Sequence, residues 1–315
     1  MNHNYLIADI GGTNARMALC SSANKEIKDL CVYPCNTGNS LEEVITGYLQ
    51  LHVEIELAGI CLAVPGPVEG GTFSFVNNDW VVDPKDLETV FEAPVYLLND
   101  FSAQALALAA LNEAEFDWFD EIRPQPDSIK ALVGPGTGTG VGALMENGQV
   151  IPSEAGHIAF APTSRHQEKL LRFTRKKFGR VSVERFLSGP GLVNIYLFNQ
   201  SEIGIENDAS TKPSDITKAA ENGDQVALDS IADFWDILAA YAGDIALTFG
   251  AKGGLYISGG AALKLTPYLD QKKFRKIFAD KGRFSGLCSE ISLAICLEQQ
   301  MGLLGCRQLL RQKGL

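Results

Sequence analysis

Asp9-Ile10-Gly11-Gly12-Thr13-Asn14 is the stretch on which the fold of this chain turns. Before it, Tyr5–Ile10 is an apolar extended run; after it, Arg16–Ser21 reads as a second strand, so the glycines form a tight turn between two strands. Two glycines let consecutive backbone N–H groups converge on an anion, and Thr13 and Asn14 add side-chain donors. Asp9, at the strand end, is suited to hold a magnesium ion through its waters. A plain hairpin turn accounts for Gly-Gly and Asn equally well.

Outward from this turn, Glu26–Tyr33 is a third strand candidate. Ser40 caps an amphipathic helix in which Leu41, Val44, Ile45, Tyr48 and Leu49 recur at helical spacing. Leu57–Val64 is a buried-type strand that stops at Pro65-Gly66-Pro67, and Val95–Leu98 is a strand stopped by Asn99-Asp100. The alanine- and leucine-rich stretch Phe101–Leu111 reads as helix. A second block opens with the strand Lys130–Val133, a glycine loop and the strand Val141–Met145. Gln225–Phe249 carries a long helical stripe (Val226, Ile231, Phe234, Leu238, Ala242, Ile245), followed by a strand at Leu255–Ile257 and a terminal helix at Met301–Arg311. Strands mixed with single helices predict a layered α/β fold. The acidic, proline-containing stretch Leu111–Pro126 is the best division between the blocks.

Composition narrows the function. The 315 residues suit two domains, and a hydrophobic fraction of 46% with a charged fraction of 21% excludes a disordered or collagen-like chain. With 27 basic against 38 acidic side chains, the formal charge of −11 disfavours nucleic-acid binding. No stretch reaches the ~18 apolar residues of a membrane helix, and the N-terminus lacks the pattern of a signal peptide. The seven cysteines include no C-x-x-C pair and sit mostly in apolar runs, which predicts buried reduced thiols in a cytoplasmic protein. The 31 glycines are the excess, and they cluster.

The densest cluster, Gly134 to Gly142, alternates glycine and threonine between two strands. It lacks the Lys-Ser/Thr ending of a Walker loop, and a strand follows where a dinucleotide fingerprint requires a helix. Five glycines exceed the needs of a turn, which favours a phosphate cradle. Ser258-Gly259-Gly260 suits close approach of backbone to a nucleotide, or an ordinary strand-to-helix turn. Asn99-Asp100 lies at the carboxyl end of a strand, where α/β sheets bind ligands, although Asp100 also suits a helix N-cap. Ser153-Glu154-Ala155-Gly156-His157 offers two polar groups to a small hydroxylated ligand, or a surface salt bridge. Glu184 is a polar residue amid an apolar run, which an exposed helix position explains as well. Asn77, Asn78 and Trp80 suit either a sugar contact or a turn with a buried aromatic.

The order of these motifs, with Leu187-Ser188-Gly189-Pro190-Gly191-Leu192-Val193-Asn194, Asp280-Lys281-Gly282-Arg283-Phe284 and Gly302-Leu303-Leu304-Gly305, resembles the bacterial glucokinase family from Tyr5 to the final helix. The resemblance implies the two-lobed actin-like ATPase (ribonuclease H-like) fold, each lobe a mixed sheet flanked by helices, with the active site in the interlobe cleft. It implies a small lobe of residues 1–111 plus 298–315 and a large lobe of residues 112–297. It implies ATP-dependent phosphorylation of glucose at the 6-hydroxyl, feeding glycolysis. Asp100 is the implied general base, and Asn99, Asp100, Glu154, His157 and Glu184 the sugar set. Ala8, Asp9, Ile10, Gly11, Gly12, Thr13 and Asn14 match the first phosphate loop; Gly136, Thr137, Gly138 and Thr139 belong to the second; Gly259 and Gly260 lie near the adenosine. ATP and Mg²⁺ are the implied cofactors, the metal near Asp9 through water, and a homodimer the implied assembly. The cysteine-rich zinc motif of the related repressor and kinase group is missing after His157, so no zinc is expected, and the absence of a helix-turn-helix ahead of Tyr5 removes a repressor reading. A kinase for another hexose or amino sugar, a silent sugar sensor and an actin-like scaffold are the alternatives.

Overall fold

The computed structural model describes residues 3–21, 26–35, 38, 40–52, 55–68, 71–75 and 80–315. Asn77 and Asn78 lie outside the described residues. The chain divides into two compact units: Met1–Asn112 with Gly148–Pro152 and Glu298–Leu315, and Glu113–Asn147 with Ser153–Leu297.

The first unit is built on a mixed five-stranded sheet in the order β3-β2-β1-β4-β7. Its strands are β1 (Asn4–Ile10), β2 (Asn14–Ser21), β3 (Lys28–Pro34), β4 (Leu57–Val64) and β7 (Val95–Asn99); the two-residue strands β5 (Phe73–Ser74) and β6 (Val81–Val82) pair separately. β1 runs antiparallel to β2 and parallel to β4, and β4 runs parallel to β7. The two-residue period of a strand sorts the side chains into two cores. Leu6, Ala8, Ile10, Ile60, Leu62 and Val64 face one core, completed by Leu41, Val44, Ile45 and Tyr48 of α1 (Leu41–Leu49) and Leu87 of α2 (Pro84–Phe91). Tyr5, Ile7, Cys61 and Ala63 face the other, covered by Ala103 of α3 (Asp100–Ala107) and by Leu303, Cys306 and Leu310 of α11 (Met301–Gln312). The last helix thus completes the core beneath the first strand. Ser40 caps α1, its hydroxyl accepting from Glu43 N at 3.2 Å. Trp80 is buried, its ring packed edge-on against Phe75.

A six-stranded sheet runs in the order β11-β10-β9-β12-β13-β8, and all of its strands except β11 belong wholly to the second unit. These strands are β8 (Phe116–Trp118), β9 (Lys130–Pro135), β10 (Thr139–Leu144), β11 (Val150–Ser153), β12 (Leu255–Ile257) and β13 (Leu293–Cys296). Its helices are α4 (Arg165–Phe178), α5 (Gly189–Glu202), α6 (Pro213–Glu221), α7 (Gln225–Phe249), α8 (Gly260–Leu265), α9 (Gln271–Ala279) and α10 (Ser285–Ser289). α7 is the central element: Ile231, Phe234, Leu238, Ala242 and Ile245 are buried in one core with residues of α5, α9 and the sheet. Asp224 caps its start and Gly250, in the left-handed region, ends it.

The alanine-rich helix after Asp100 is shorter than its sequence suggests. It ends at Ala107 instead of Leu111, because the amides of Leu108, Ala109 and Ala110 bond to carbonyls three residues back and tighten the chain into turns. All seven cysteines are free, and only Cys31 is not fully buried. Among the described residues, no helix is long and apolar enough to cross a membrane.

Candidate active site

In the first unit, the parallel strands β1, β4 and β7 end side by side. Asp9 pairs with Ala63, Ala63 with Leu98, and Val64 with Asn99. At a strand spacing of about 4.8 Å, the backbones of Asp9 and Leu98 lie roughly 10 Å apart. Asp9 and Asp100 therefore stand along one carboxyl edge of the sheet, the edge at which α/β folds bind ligands.

The glycine turn is closed by Gly11 N donating to Asn14 O at 2.9 Å and is tied down by Cys35, whose N–H donates to Thr13 O and whose thiol donates to Gly11 O. Asp9 faces Arg16 across the β1–β2 ladder, with Nη1 3.5 Å from Oδ2. Burial pushes the Asp9 carboxyl above its ordinary pKa, against the pull of Arg16. One edge of the side chain stays open, at 21% exposure. The sequence reading gave Arg16 no role, although the four residues Gly11 to Asn14 between the paired Ile10 and Ala15 put it opposite Asp9.

Asn99, not Asp100, is the N-cap of α3: its Oδ1 accepts from Ser102 N at 3.0 Å. Its amide also donates to Gly66 O at 3.3 Å and to Asp100 Oδ1 at 3.1 Å. Asp100 occupies the first helical position, where Phe101 N donates to the same Oδ1 at 2.8 Å. Two donors on one oxygen fix the carboxylate's orientation, and the positive end of α3 favours its charge.

In the second unit, Pro135 pairs with Thr139, so the glycine hairpin tip is Gly136-Thr137-Gly138. Gly136 N donates to Gly138 O at 2.7 Å, and Gly136 O accepts from Gly189 N at 2.8 Å. The Thr139 hydroxyl donates to Leu187 O. Glu184 lies in a 3₁₀ turn, Val183–Arg185, and its Oε2 accepts from Thr139 N at 2.9 Å. Glycine at residue 138 leaves room for that bond as it stands, since a Cβ there would meet the same oxygen and the Glu184 side chain would have to shift. The exposed-helix reading of Glu184 thus gives way to a brace on the hairpin, half-buried and 45 residues distant in sequence.

Glu154 and His157 are exposed at either end of the turn Ala155–His157. Gly156, between them, packs against the Thr139 carbonyl. Val183 N donates to Ile158 O at 3.0 Å and joins this turn to the one bearing Glu184. Gly259, at φ 90°, lies against Pro135 O, so the turn opening α8 packs on the hairpin too. A cavity of about 390 Å³ opens beside the tip, lined by Thr137, Glu184, Ser188, Gly191, Thr211 and Lys212 among others. Its volume falls within the usual range of small-molecule sites. The second unit therefore brings together Gly136–Thr139, Glu154, His157, Glu184 and Gly259.

The profile of the glucokinase family matches residues 6–313. A glucokinase of Hahella chejuensis is 35% identical over 98% of this chain and 97% of its own. Among solved structures, a glucokinase from an Antarctic psychrotroph superposes with a TM-score of 0.89 at 30% identity, covering 98% of this chain and 99% of that one. A glucokinase from Balamuthia mandrillaris in complex with glucose superposes at 0.82 and 21% identity, over 98% and 94%, a likeness of fold alone. The mixed α/β architecture is that of the actin-like ATPases. With the profile spanning nearly the whole chain and relatives this similar over their full length, the chain belongs to the glucokinase family.

Proposed function

We propose that this protein transfers the γ-phosphoryl group of ATP to the 6-hydroxyl of glucose, with Asp100 as general base. Family membership makes it an ATP-dependent hexose kinase. The observation that carries the base assignment is the double anchoring of Asp100 Oδ1 by Phe101 N and Asn99 Nδ2, which holds a carboxylate rigidly at the carboxyl edge of the sheet. As the bond from the sugar O6 to phosphorus forms, the O6 proton passes to Asp100 and the bond to the departing ADP oxygen breaks. Such assistance supplies about 10²–10⁴-fold, and positioning supplies much of the rest.

Asn99, Glu154, His157 and Glu184 are proposed to take the remaining sugar hydroxyls. Ala8 to Asn14 and Gly136 to Thr139 are proposed to hold the phosphates through backbone N–H groups, and Gly259 with Gly260 to lie by the adenosine. The residues fit a magnesium ion: the open edge of Asp9 offers one carboxylate, and Mg²⁺ typically takes one or two together with waters and phosphate oxygens. Among the described residues, no group of three or more His, Cys, Asp or Glu side chains is arranged to hold a metal, so Asp9 would act through water. Mg²⁺, when bound, neutralises charge on the phosphates. A homodimer and a cytoplasmic location are proposed from the resemblance to the family.

The test is a coupled ADP-release assay across glucose, mannose, fructose and glucosamine, compared by kcat/KM. Glucose should lead the panel, with ADP released only when sugar is present. A different leading sugar would reassign the substrate, and sugar-independent turnover would overturn the kinase reading.

A further inference from the structure

The glycine turn after β1 is gripped from one side by a residue that takes no part in the proposed chemistry. Cys35 directly follows β3 and is 4% exposed. Its N–H donates to Thr13 O at 2.8 Å, which carries the β2–β3 ladder one pair beyond Asn14 and Pro34. Its thiol donates to Gly11 O at 3.2 Å, across 24 residues of sequence. A single residue therefore holds two of the turn's carbonyls.

In a planar trans peptide the C=O and the N–H point in opposite directions. Holding Gly11 O toward Cys35 turns the Gly12 N–H away from it, and holding Thr13 O there turns the Asn14 N–H away as well. Gly12, Thr13 and Asn14 are exposed, whereas Cys35 is buried, so the two amides are aimed to the open side of the turn. Backbone N–H groups aimed together from a turn make an anion-binding concavity.

The thiol suits this duty because it keeps its proton. Burial pushes Cys35 above its ordinary pKa, so at neutral pH it is a donor. A thiolate in its place would repel both the carbonyl oxygen and a phosphate beyond it.

We propose that Cys35 is a positioning residue for ATP: it holds the carbonyls of Gly11 and Thr13 back, so that the amides of Gly12 and Asn14 face the phosphates. It acts through the turn and does not itself touch the nucleotide. The inference rests on the reading of Ala8 to Asn14 as a phosphate loop.

Substituting the side chain removes the thiol bond and leaves the backbone bond to Thr13 in place. Cys35→Ala and Cys35→Val both lose the donor, the second while filling the space, and Cys35→Ser retains one. The KM for ATP, and the calorimetric Kd of ATP without sugar, should rise about fivefold in the first two and return to within about twofold of wild type in Cys35→Ser, the scale of one ordinary hydrogen bond. The KM for glucose should not move. Should Cys35→Ala fail to fold, Cys35→Val decides. Equal losses in all three variants would reduce Cys35 to a packing residue and overturn the proposal. So would a rise in KM for glucose that matches the rise for ATP, or an unchanged affinity for ATP in Cys35→Ala and Cys35→Val. Gly12→Pro, which deletes one of the aimed amides outright, tells the two possible failures apart. If it weakens ATP about tenfold, the scale of one charge-assisted bond, while the cysteine variants do not, the loop keeps its phosphate role and Cys35 loses its own. If it too leaves ATP binding unchanged, the phosphate-loop reading falls as well.

Discussion

Gly302, the second residue of α11, lies against the carboxylate of Asp9: a methyl group on its Cα would stand 2.6 Å from Asp9 Cγ. Glycine inside a helix normally costs about 1 kcal/mol relative to alanine. Here it lets the first turn of the last helix meet the strand end that bears the proposed metal-side carboxylate. Gly302→Ala should therefore separate folding from catalysis. The melting temperature should stay near wild type, because alanine is the better helix residue. The kcat should fall about 100-fold, the usual consequence of shifting a reacting group by about 1 Å. Unchanged kcat would show that Asp9 tolerates displacement and has no positional role.

Asp100 carries a sharper expectation because its two duties are separable. As the first residue of α3 it adds about 0.3–1 kcal/mol through the helix dipole, while Asn99 supplies the cap itself. Asp100→Asn keeps the shape and the acceptor for Phe101 N but cannot take a proton. We expect kcat to fall by about 10²–10⁴, with ATP affinity and melting temperature close to wild type. A variant that keeps its kcat would reduce Asp100 to a helix residue.

Glu184 is proposed to bind the sugar, and its carboxylate also braces the glycine hairpin through Thr139 N. The two roles respond differently to substitution. Glu184→Gln retains an oxygen for that amide, so KM for ATP should hold while KM for glucose rises about tenfold, as for one lost charge-assisted hydrogen bond. Glu184→Ala strands the buried N–H of Thr139, a cost of about 1–3 kcal/mol, and should raise both KM values. Equal effects of Gln and Ala on ATP would remove the brace from the account.

What could be read from the chain follows the range of the interactions. Local patterns sufficed for β1, β2 and the turn between them, because an apolar extended run, two glycines and a second alternating run determine one another within a few residues. Gln225–Phe249 was legible to the residue, since Asp224 and Gly250 punctuate it. The family order of motifs carried the α/β actin-like fold and the kinase reading. The helix α4 was not foreseen: its apolar face is narrow, Leu170 buried with Leu171 and Phe173 half-buried beside it, and most of its fourteen residues are polar or charged. Nor could a sequence show that Glu184 reaches Thr139, or that Gly302 stands against Asp9 from the far end of the chain. Such contacts arise from tertiary packing, which local spacing does not encode.

Asp236 gives the pH prediction. Burial raises its pKa above the ordinary value, and the neighbouring Asp233 raises it further, while Lys273 and His166 pull it down without prevailing. A carboxyl whose pKa is higher in the folded than in the unfolded chain makes the folded state the tighter proton binder, so its contribution to stability is present at low pH and is lost as pH rises through the folded pKa. At neutral pH the ionised Asp236 is accordingly a net burden on the fold. Asp236→Asn should raise the melting temperature at pH 7, and the gain should shrink on acidification and vanish by about pH 3, below the ordinary aspartate value of about 3.9. Calorimetric scans of both proteins across this range provide the check. A variant less stable at neutral pH would show that the 2.8 Å ion pair with Lys273 outweighs the cost of burying the charge.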